Sequence, residues 1–462
     1  AGAADAGDAD EPARKKPKPS WQAGHSHYWP HVRGSVGNYS HTRHVAPTDL
    51  ESSLLWYWHH KDGRFHTTVL GGPLIDDQRN IYVACEDGIR KFTTDGMLLW
   101  HYHPMPFPAS VHKSPDTLFT HVPSLMGGML FGDISDGTVY GLDLETGEEV
   151  WRKRHAASMG PDTAYVEAHD GVVVLGAEWA HHPQNDGGSK KMIGVNATDG
   201  RLLWEYQPSI PIWNAMAMFG EDGTVSFMDF TGGVHCLDTH TGVKRWHTPA
   251  PAADTFSDGG MVLGPGKALY TCSNADGQGI QNKSRGAIRA YRRLDGRKLW
   301  ERVLPHPCVS WPAVSEDGAT VVVPIGGFPV PEPLDPKQSE VWAFDAGTGK
   351  TQWHHRLPPW RGLLARGDFE GLAKRFLLKH RPACIPASWS APTIDAAGAV
   401  YIGNQEGPIF ALRDADGDGR VRGAGEVDSF DTRAGFDGSE APSIAPGLMA
   451  VASLDTLYVF RY

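Results

Sequence analysis

A glycine followed four residues later by a tryptophan occurs six times: Gly96 to Trp100, Gly147 to Trp151, Gly200 to Trp204, Gly242 to Trp246, Gly296 to Trp300 and Gly349 to Trp353. Successive tryptophans of this set are 51, 53, 42, 54 and 53 residues apart. A near-constant period of that size signals a repeat architecture. The stretch 341–353, VWAFDAGTGKTQW, shows the device in full. Two short strands flank a tight turn in which Asp345 and Thr348 can bind turn amides and Gly349 can take positive φ at little cost.

Each unit opens with a strand of small and apolar residues that often carries proline, such as GGPLI at 71–75, WPAVS at 311–315 and APSIA at 441–445. A polar, Gly-rich turn follows, then a β-branched run such as TVVVPI at 320–325, then the glycine-turn pair. That makes four antiparallel strands, one propeller blade. Blades end near Trp100, Trp151, Trp204, Trp246, Trp300 and Trp353, a seventh spans roughly 387–431, and an eighth begins near Gly438 but reaches Tyr462 with three strands. Ser52–His59 (SSLLWYWH) has no local partner and supplies the fourth, with Trp56 or Trp58 in the tryptophan position. The expected fold is all-β: an eight-bladed β-propeller over 52–462, closed by strand 52–59 pairing with the C-terminal blade, which removes exposed sheet edges.

The pattern x-W/Y-A-x-D-x-x-T-G-x-x-x-W resembles the repeat of the pyrroloquinoline-quinone (PQQ)-type propeller family, over about 410 residues. The resemblance implies that the tryptophans dock between neighbouring blades. Asp143, Asn196, Asp238 and Asp345 keep the polar turn position, whereas Phe92 and Arg292 depart from it, with Asp95 and Asp295 beside the glycine instead. Those two turns are expected to differ locally. In the catalytic branch of the family, the quinone sits in the channel among a tryptophan floor, a vicinal disulfide, calcium ligands and an Asp. This chain has no adjacent cysteines and no CxxCH haem motif, so PQQ is not an expected cofactor. Trp213, Trp311 and Trp389 lie on or beside inner strands, as do Asn214, Asp258 and Glu440. They are the channel-site candidates, with packing of the channel wall as the alternative.

Residues 1–20, Ala/Gly/Asp-rich and then basic and Pro-rich, cannot bury a core and read as a flexible tail. Residues 21–51 form a His/Trp-rich arm carrying His25, His27, His31, His41 and His44. It reads either as a metal-binding arm or as an extended segment laid across the body with its aromatics in grooves. Long segments at 101–118, 177–190, 272–286, 326–339 and 354–387 fall mainly at B–C loops or between blades, which share one face of the ring. Within the last, Phe369, Leu372, Ala373, Phe376 and Leu377 recur at helical spacing, so a helical insertion is expected over about 361–381, with Lys374, Arg375, Lys379 and Arg381 on a basic side. His181-His182 and His354-His355 are poor chelating pairs, because adjacent strand residues point to opposite sides.

Asp414-Ala-Asp416-Gly-Asp418-Gly419 is a DxDxDG motif. Alternate carboxylates can converge on a hard cation, and Arg420 would add its carbonyl. An EF-hand loop wants Glu at position twelve; here that is Gly425, with Glu426 one later, and the flanks read as strands. The expectation is an extended C–D turn of blade seven that binds Ca²⁺ structurally through Asp414, Asp416, Asp418, Arg420 and Glu426. The alternative is an Asx-rich turn without metal.

The net charge of −11 without a basic face argues against nucleic acid, and no apolar run approaches the ~20 residues that cross a bilayer. Cys85, Cys236, Cys272, Cys308 and Cys384 form no CxxC pair, so buried free thiols are expected, with one disulfide between distant loops as the alternative. Asn38, Asn196 and Asn282 head glycosylation sequons. With a start at Ala1 that suits a processed chain, they suggest a secreted, periplasmic or organelle-lumenal protein. No cysteine near Ala1 supports lipoprotein anchoring. The preferred function is a non-enzymatic scaffold binding a protein or other partner through its loop-rich face, resembling the non-catalytic branch of the family. The alternative is a channel-site oxidoreductase, a divergent quinoprotein dehydrogenase.

Overall fold

The computed structural model describes residues 20–108, 118–159, 165–179, 188–252, 255–264, 266–275, 284–308, 310–327, 334–361, 388–436, 438 and 441–462. The tail before Ser20, the helix expected over 361–381 beyond Arg361, His181-His182, Asn282, Cys384 and Glu440 lie outside them.

Eight four-stranded antiparallel sheets form the ring. Blade one runs outward as Leu74–Ile75, Ile81–Cys85, Gly88–Phe92 and Leu98–Tyr102. Blade eight is Ser443–Ala445, Leu448–Ala452 and Thr456–Arg461, completed by Leu54–His59. The closing strand pairs Trp56 with Val459, Tyr57 with Tyr458 and Trp58 with Leu457. It starts two residues later than expected. Leu50–Ser53 is a helical turn instead, because the Asp49 carboxylate accepts from the Ser52 amide and favours helix at that point.

The recurring tryptophans join blade to blade. The indole N–H of Trp151 donates to Ala197 O in the next blade's C–D turn (2.9 Å), Trp204 to Thr239 O (2.8 Å), Trp246 to Arg293 O (3.0 Å) and Trp300 to Ala346 O (2.9 Å). Trp100 reaches Leu144 O at 3.4 Å, and Trp56 closes the ring on Thr94 O at 2.8 Å. Each ring lies over the turn glycine. At Gly349, whose φ is 68°, a Cβ would stand 2.7 Å from the Trp300 ring, so the position requires glycine twice over.

The turn backbone is the same in blades two to six. The glycine amide donates four residues back, to Asp143, Asn196, Asp238, Arg292 and Asp345. Arg292 therefore does not make its turn different, contrary to expectation: the turn closes through Gly296 N to Arg292 O (2.8 Å) without a side-chain cap, and Asp295 accepts from the Arg297 amide (3.2 Å), as Asp199 does from Arg201 in blade three, while pairing with Arg292. The Phe92 turn does differ, since the Gly96 amide donates to Thr93 O (3.0 Å) and the turn is one residue tighter.

Two junctions lack the tryptophan–glycine contact. At blades six and seven the loop 413–426 docks on the outer strand of blade six: His354 N donates to Gly419 O (3.2 Å) and Val421 N to His354 O (3.0 Å), with Val421 buried near Trp353. At blades seven and eight the two outer strands, Thr456–Arg461 and Leu54–His59, are not joined by a hairpin turn, and buried Leu50 packs there with Phe430 and Phe460.

Cys272 and Cys308 are disulfide-bonded, which corrects the expectation of free thiols for that pair. Thirty-six residues separate them, so the sequence carried no pairing signal; the fold brings the second strand of blade five against the connection to blade six. Cys85 and Cys236 are buried free thiols, and burial pushes Cys85 up to about 12. Asn38 is fully buried, which corrects its reading as a glycan acceptor, whereas Asn196 caps its own turn through the Thr198 amide.

Candidate functional site

In an up-and-down propeller the A–B and C–D turns share one face, and the B–C loops and blade connections share the other. The arm lies on the first face and enters the ring. Trp21 donates to Thr198 Oγ1 (2.9 Å) and its ring covers Gly171. His25 binds Asp77 (2.7 Å) and His27 binds Gly127 O (2.9 Å). From Trp29 the arm visits the inner edge of seven blades: Trp29 bridges Ile75, and Pro30 O accepts from Leu125 N (2.8 Å). His31 meets Glu167, Val36 O accepts from Phe219 N (2.9 Å), Tyr39 O from Val314 N (3.0 Å) and Ser40 O from Ile394 N (2.9 Å). Arg33 serves the fifth and sixth blades. The histidines are thus spread around the ring and do not converge into one ligand set.

A polar knot holds the arm at the axis. Arg33 is fully buried; its Nε donates to Ser40 Oγ (2.8 Å), Nη1 to Met261 O (3.1 Å) and Nη2 to Pro312 O. Burial presses its pKa down to about 9. Asn38 Nδ2 donates to Glu167 Oε1 and Ala217 O, both at 3.3 Å. Val32 and Tyr39 pack into the central apolar cluster with Leu74, Leu125, Met261 and Trp311. The Arg33, Asn38, Ser40 and Glu167 side chains all find partners, as burial demands.

The five channel candidates among the described residues do not assemble around one point. Asn214 and Asp258 come together, the amide donating to the carboxylate at 2.7 Å. Trp213 is half-buried in an aromatic cluster with Phe230 and Phe256 at the opposite, loop-rich mouth. Trp311 is buried edge-on to Tyr165, across the ring. Trp389 packs between blades six and seven against His355 and Phe410, away from the channel. Sequence reasoning missed the His121–Asp133 pair near that mouth (2.7 Å, both fully buried) and the buried Glu167; one periodic sequence gives no sign of contacts made across blades.

In the DxDxDG loop, one oxygen each from Asp414, Asp416 and Glu426 lies within 4.8 Å of the others. Glu426 folds back over the loop and accepts from Ala415 N (2.9 Å) and Arg422 N (3.0 Å). Those amide bonds hold its carboxyl below the ordinary glutamate value. Asp418 accepts from the Arg420 amide (2.7 Å) and faces Arg422 (3.1 Å), outside the converging three. Among the described residues no helix is long and apolar enough to cross a membrane.

The outer membrane protein assembly factor BamB of Burkholderia pseudomallei is 25% identical over 350 residues, covering 66% of this chain and 86% of that protein. The crystal structure of BamB from Moraxella catarrhalis superposes with a TM-score of 0.58 at 15% identity, over 89% of this chain and 99% of that one. A europium-containing methanol dehydrogenase superposes at 0.64 and 12% identity, over 94% and 98%. These structural likenesses concern the fold, which both a dehydrogenase and an assembly factor use. The family model described as outer membrane protein assembly factor BamB matches residues 135–323 and 257–434, more than half of the sequence. With its eight-bladed ring and tryptophan-docked repeats, the chain therefore belongs to that family of PQQ-like propellers.

Proposed function

We propose that this chain is a non-enzymatic scaffold that binds a protein partner through the loop-rich face of its propeller, in a periplasmic or other extracytoplasmic compartment. The arm through the ring carries the reading. The inner edges of seven blades, where a quinoprotein would hold its cofactor, bond instead to residues 29–42 of the same chain. The residues do not fit PQQ: there is no vicinal cysteine pair, Trp389 lies between blades and Trp311 lies against Tyr165. The arm also covers part of the short-turn face, leaving the loop-rich face with its Trp213–Phe230–Phe256 cluster for a partner. Relatives named as outer-membrane protein assembly factors support a protein partner in the cell envelope. The Cys272–Cys308 bond supports an oxidising compartment. The blade-seven loop takes Ca²⁺ as a structural ion, through Asp414, Asp416 and Glu426.

Photo-crosslinking in cells tests the reading. A photoreactive residue at position 213 should capture an envelope protein that one at position 223, on the short-turn face, does not. Capture from 223 alone, or dye reduction with alcohols after addition of PQQ and Ca²⁺, would overturn it.

A further inference from the structure

Three side-chain groups among the described residues bring potential metal donors together. Asp414, Asp416 and Glu426 offer oxygen alone. In Asp229, His235 and His247 two of the three are already engaged: Asp229 Oδ1 accepts from Thr231 N (2.9 Å), Thr231 Oγ1 (2.8 Å) and Gly233 N (2.9 Å). His235 engages Asp229 through Nε2 (3.1 Å) and the Tyr206 hydroxyl through Nδ1 (3.0 Å). His60, Asp62 and His66 differ.

These three sit on the connection from blade eight into blade one, at the seam of the ring. Gly63 N donates to His60 O (2.9 Å) and His66 N to Gly63 O (3.3 Å), so the chain doubles back. Phe65 takes φ 61°, rare for a bulky side chain. Arg64, paired with Asp455 and donating to Thr432 O (3.2 Å), clamps the loop to blades seven and eight. The two imidazoles stack with centroids 4.3 Å apart. Asp62 Oδ2 lies 3.7 Å from His60 Nδ1 and 3.7 Å from His66 Nε2.

The Asp62 amide donates to His60 Nδ1 (3.2 Å), which puts the ring proton on Nε2 and the lone pair on Nδ1; a metal at Nδ1 takes that lone pair in place of this single long amide bond. Nε2 faces the Asp87 carboxylate at 3.8 Å, outside hydrogen-bond distance but on the side where an outer-shell carboxylate orients a metal-bound imidazole. The His66 ring makes no hydrogen bond to the described residues, and its side chain is 35% exposed and free to turn.

We propose that His60 Nδ1, Asp62 Oδ2 and His66 Nε2 form a site for a borderline divalent transition ion, Zn²⁺ by the match of two imidazoles and one carboxylate to a tetrahedral ion with water in the fourth place. Binding turns the His66 ring off the face of His60 and brings its lone pair into line. The ion clips the loop at the junction of the first and last blades. Zn²⁺ differs from the all-oxygen Ca²⁺ loop in ligand chemistry, so the two sites are separable by experiment.

The full chain, stripped with chelator, is titrated with Zn²⁺ by calorimetry and with Co²⁺ by visible absorption. One tight equivalent and the bands of a four-coordinate site are expected. His66→Ala and Asp62→Asn, both at solvent-accessible positions, should each weaken Zn²⁺ by about tenfold or more with unchanged circular dichroism. His247→Ala should bind as the parent does. Absence of Zn²⁺ uptake, uptake that survives both substitutions, or loss on His247→Ala overturns the proposal.

Discussion

The indole N–H of Trp56 lies 2.8 Å from the carbonyl of Thr94, and its ring covers Gly96. These two residues belong to the last and first blades, so the contact that seals the ring is the one that joins its interior junctions. The junction repeats wherever a C–D turn is intact. It gives way to a docked loop or to Leu50 only at the two places where blade seven's turn is enlarged or blade eight's outer strands have no hairpin between them. The closure is thus one more copy of a local rule.

Trp56→Ala should cost about 2–3 kcal/mol, below the roughly 3–5 kcal/mol of a fully buried large aromatic because the side chain is half-buried. Trp56→Phe keeps most of the apolar area, loses the N–H donor and should cost about 1 kcal/mol. Urea denaturation measures both. Hydrogen exchange in Leu54–His59 should rise in the alanine variant before that of the inner strands; uniform exchange across all blades would refute a seam that opens first.

Gly349→Ala combines a left-handed backbone with a methyl 2.7 Å from the Trp300 ring. Gly223 also has positive φ (74°), but nothing lies within 4 Å of its absent Cβ. Gly223→Ala should therefore cost only the backbone term, about 1 kcal/mol, and Gly349→Ala about 2–3 kcal/mol. Equal losses in chemical denaturation would show that tryptophan docking adds nothing to the glycine requirement.

The ring was legible because each blade repeats a local signal: the Gly-to-Trp step, the polar turn position and the apolar inner strand. The single strand at 54–59 was legible because the eighth blade lacked one. Other features depend on contacts without a periodic trace. Arg33 reads as an ordinary basic residue in a polar segment, and only the closed ring puts Met261 O and Pro312 O at its guanidinium. Trp389 and Trp311 occupy similar sequence positions before their inner strands, yet one turns between blades and the other to the axis. The Arg292 turn keeps the common backbone because its closing bond, Gly296 N to Arg292 O, runs between backbone atoms and does not depend on the side chain at 292.

Asp238 provides a pH test of the turn. The Arg245 hydrogen bond, then Thr241, hold its carboxyl down at about 2 against an ordinary 3.8. A folded value below the unfolded one means that the stability is present above about pH 4 and is lost as pH falls through about 2. Solvent screening reduces the effect to about 1 kcal/mol. Asp238→Asn keeps an amide-capping oxygen, as Asn196 does in blade three, but loses the charge. It should be less stable by that amount at pH 7 and match the parent near pH 2. A constant difference across that range would assign the loss to the cap rather than to the ionised pair.

The blade-seven loop offers a test that separates a metal site from an Asx-rich turn. Asp416 Oδ1 accepts only from the nearby Asp418 amide (2.9 Å), and the residue is exposed, so its amide analogue should leave the apo fold intact. If Ca²⁺ binds, the parent gains about 2.7 kcal/mol at a hundredfold excess of ion over its Kd, and melting moves up accordingly. Asp416→Asn should abolish that calcium-dependent rise while melting like the parent in chelator. Mg²⁺ should give a smaller rise, because it prefers a tighter octahedral shell. The loop is pinned to blade six through His354 and Val421, so Ca²⁺ should also slow exchange of the His354 amide, which donates to Gly419 O. A melting rise that is identical in Asp416→Asn would remove the ion from this loop and leave the turn held by its own amides.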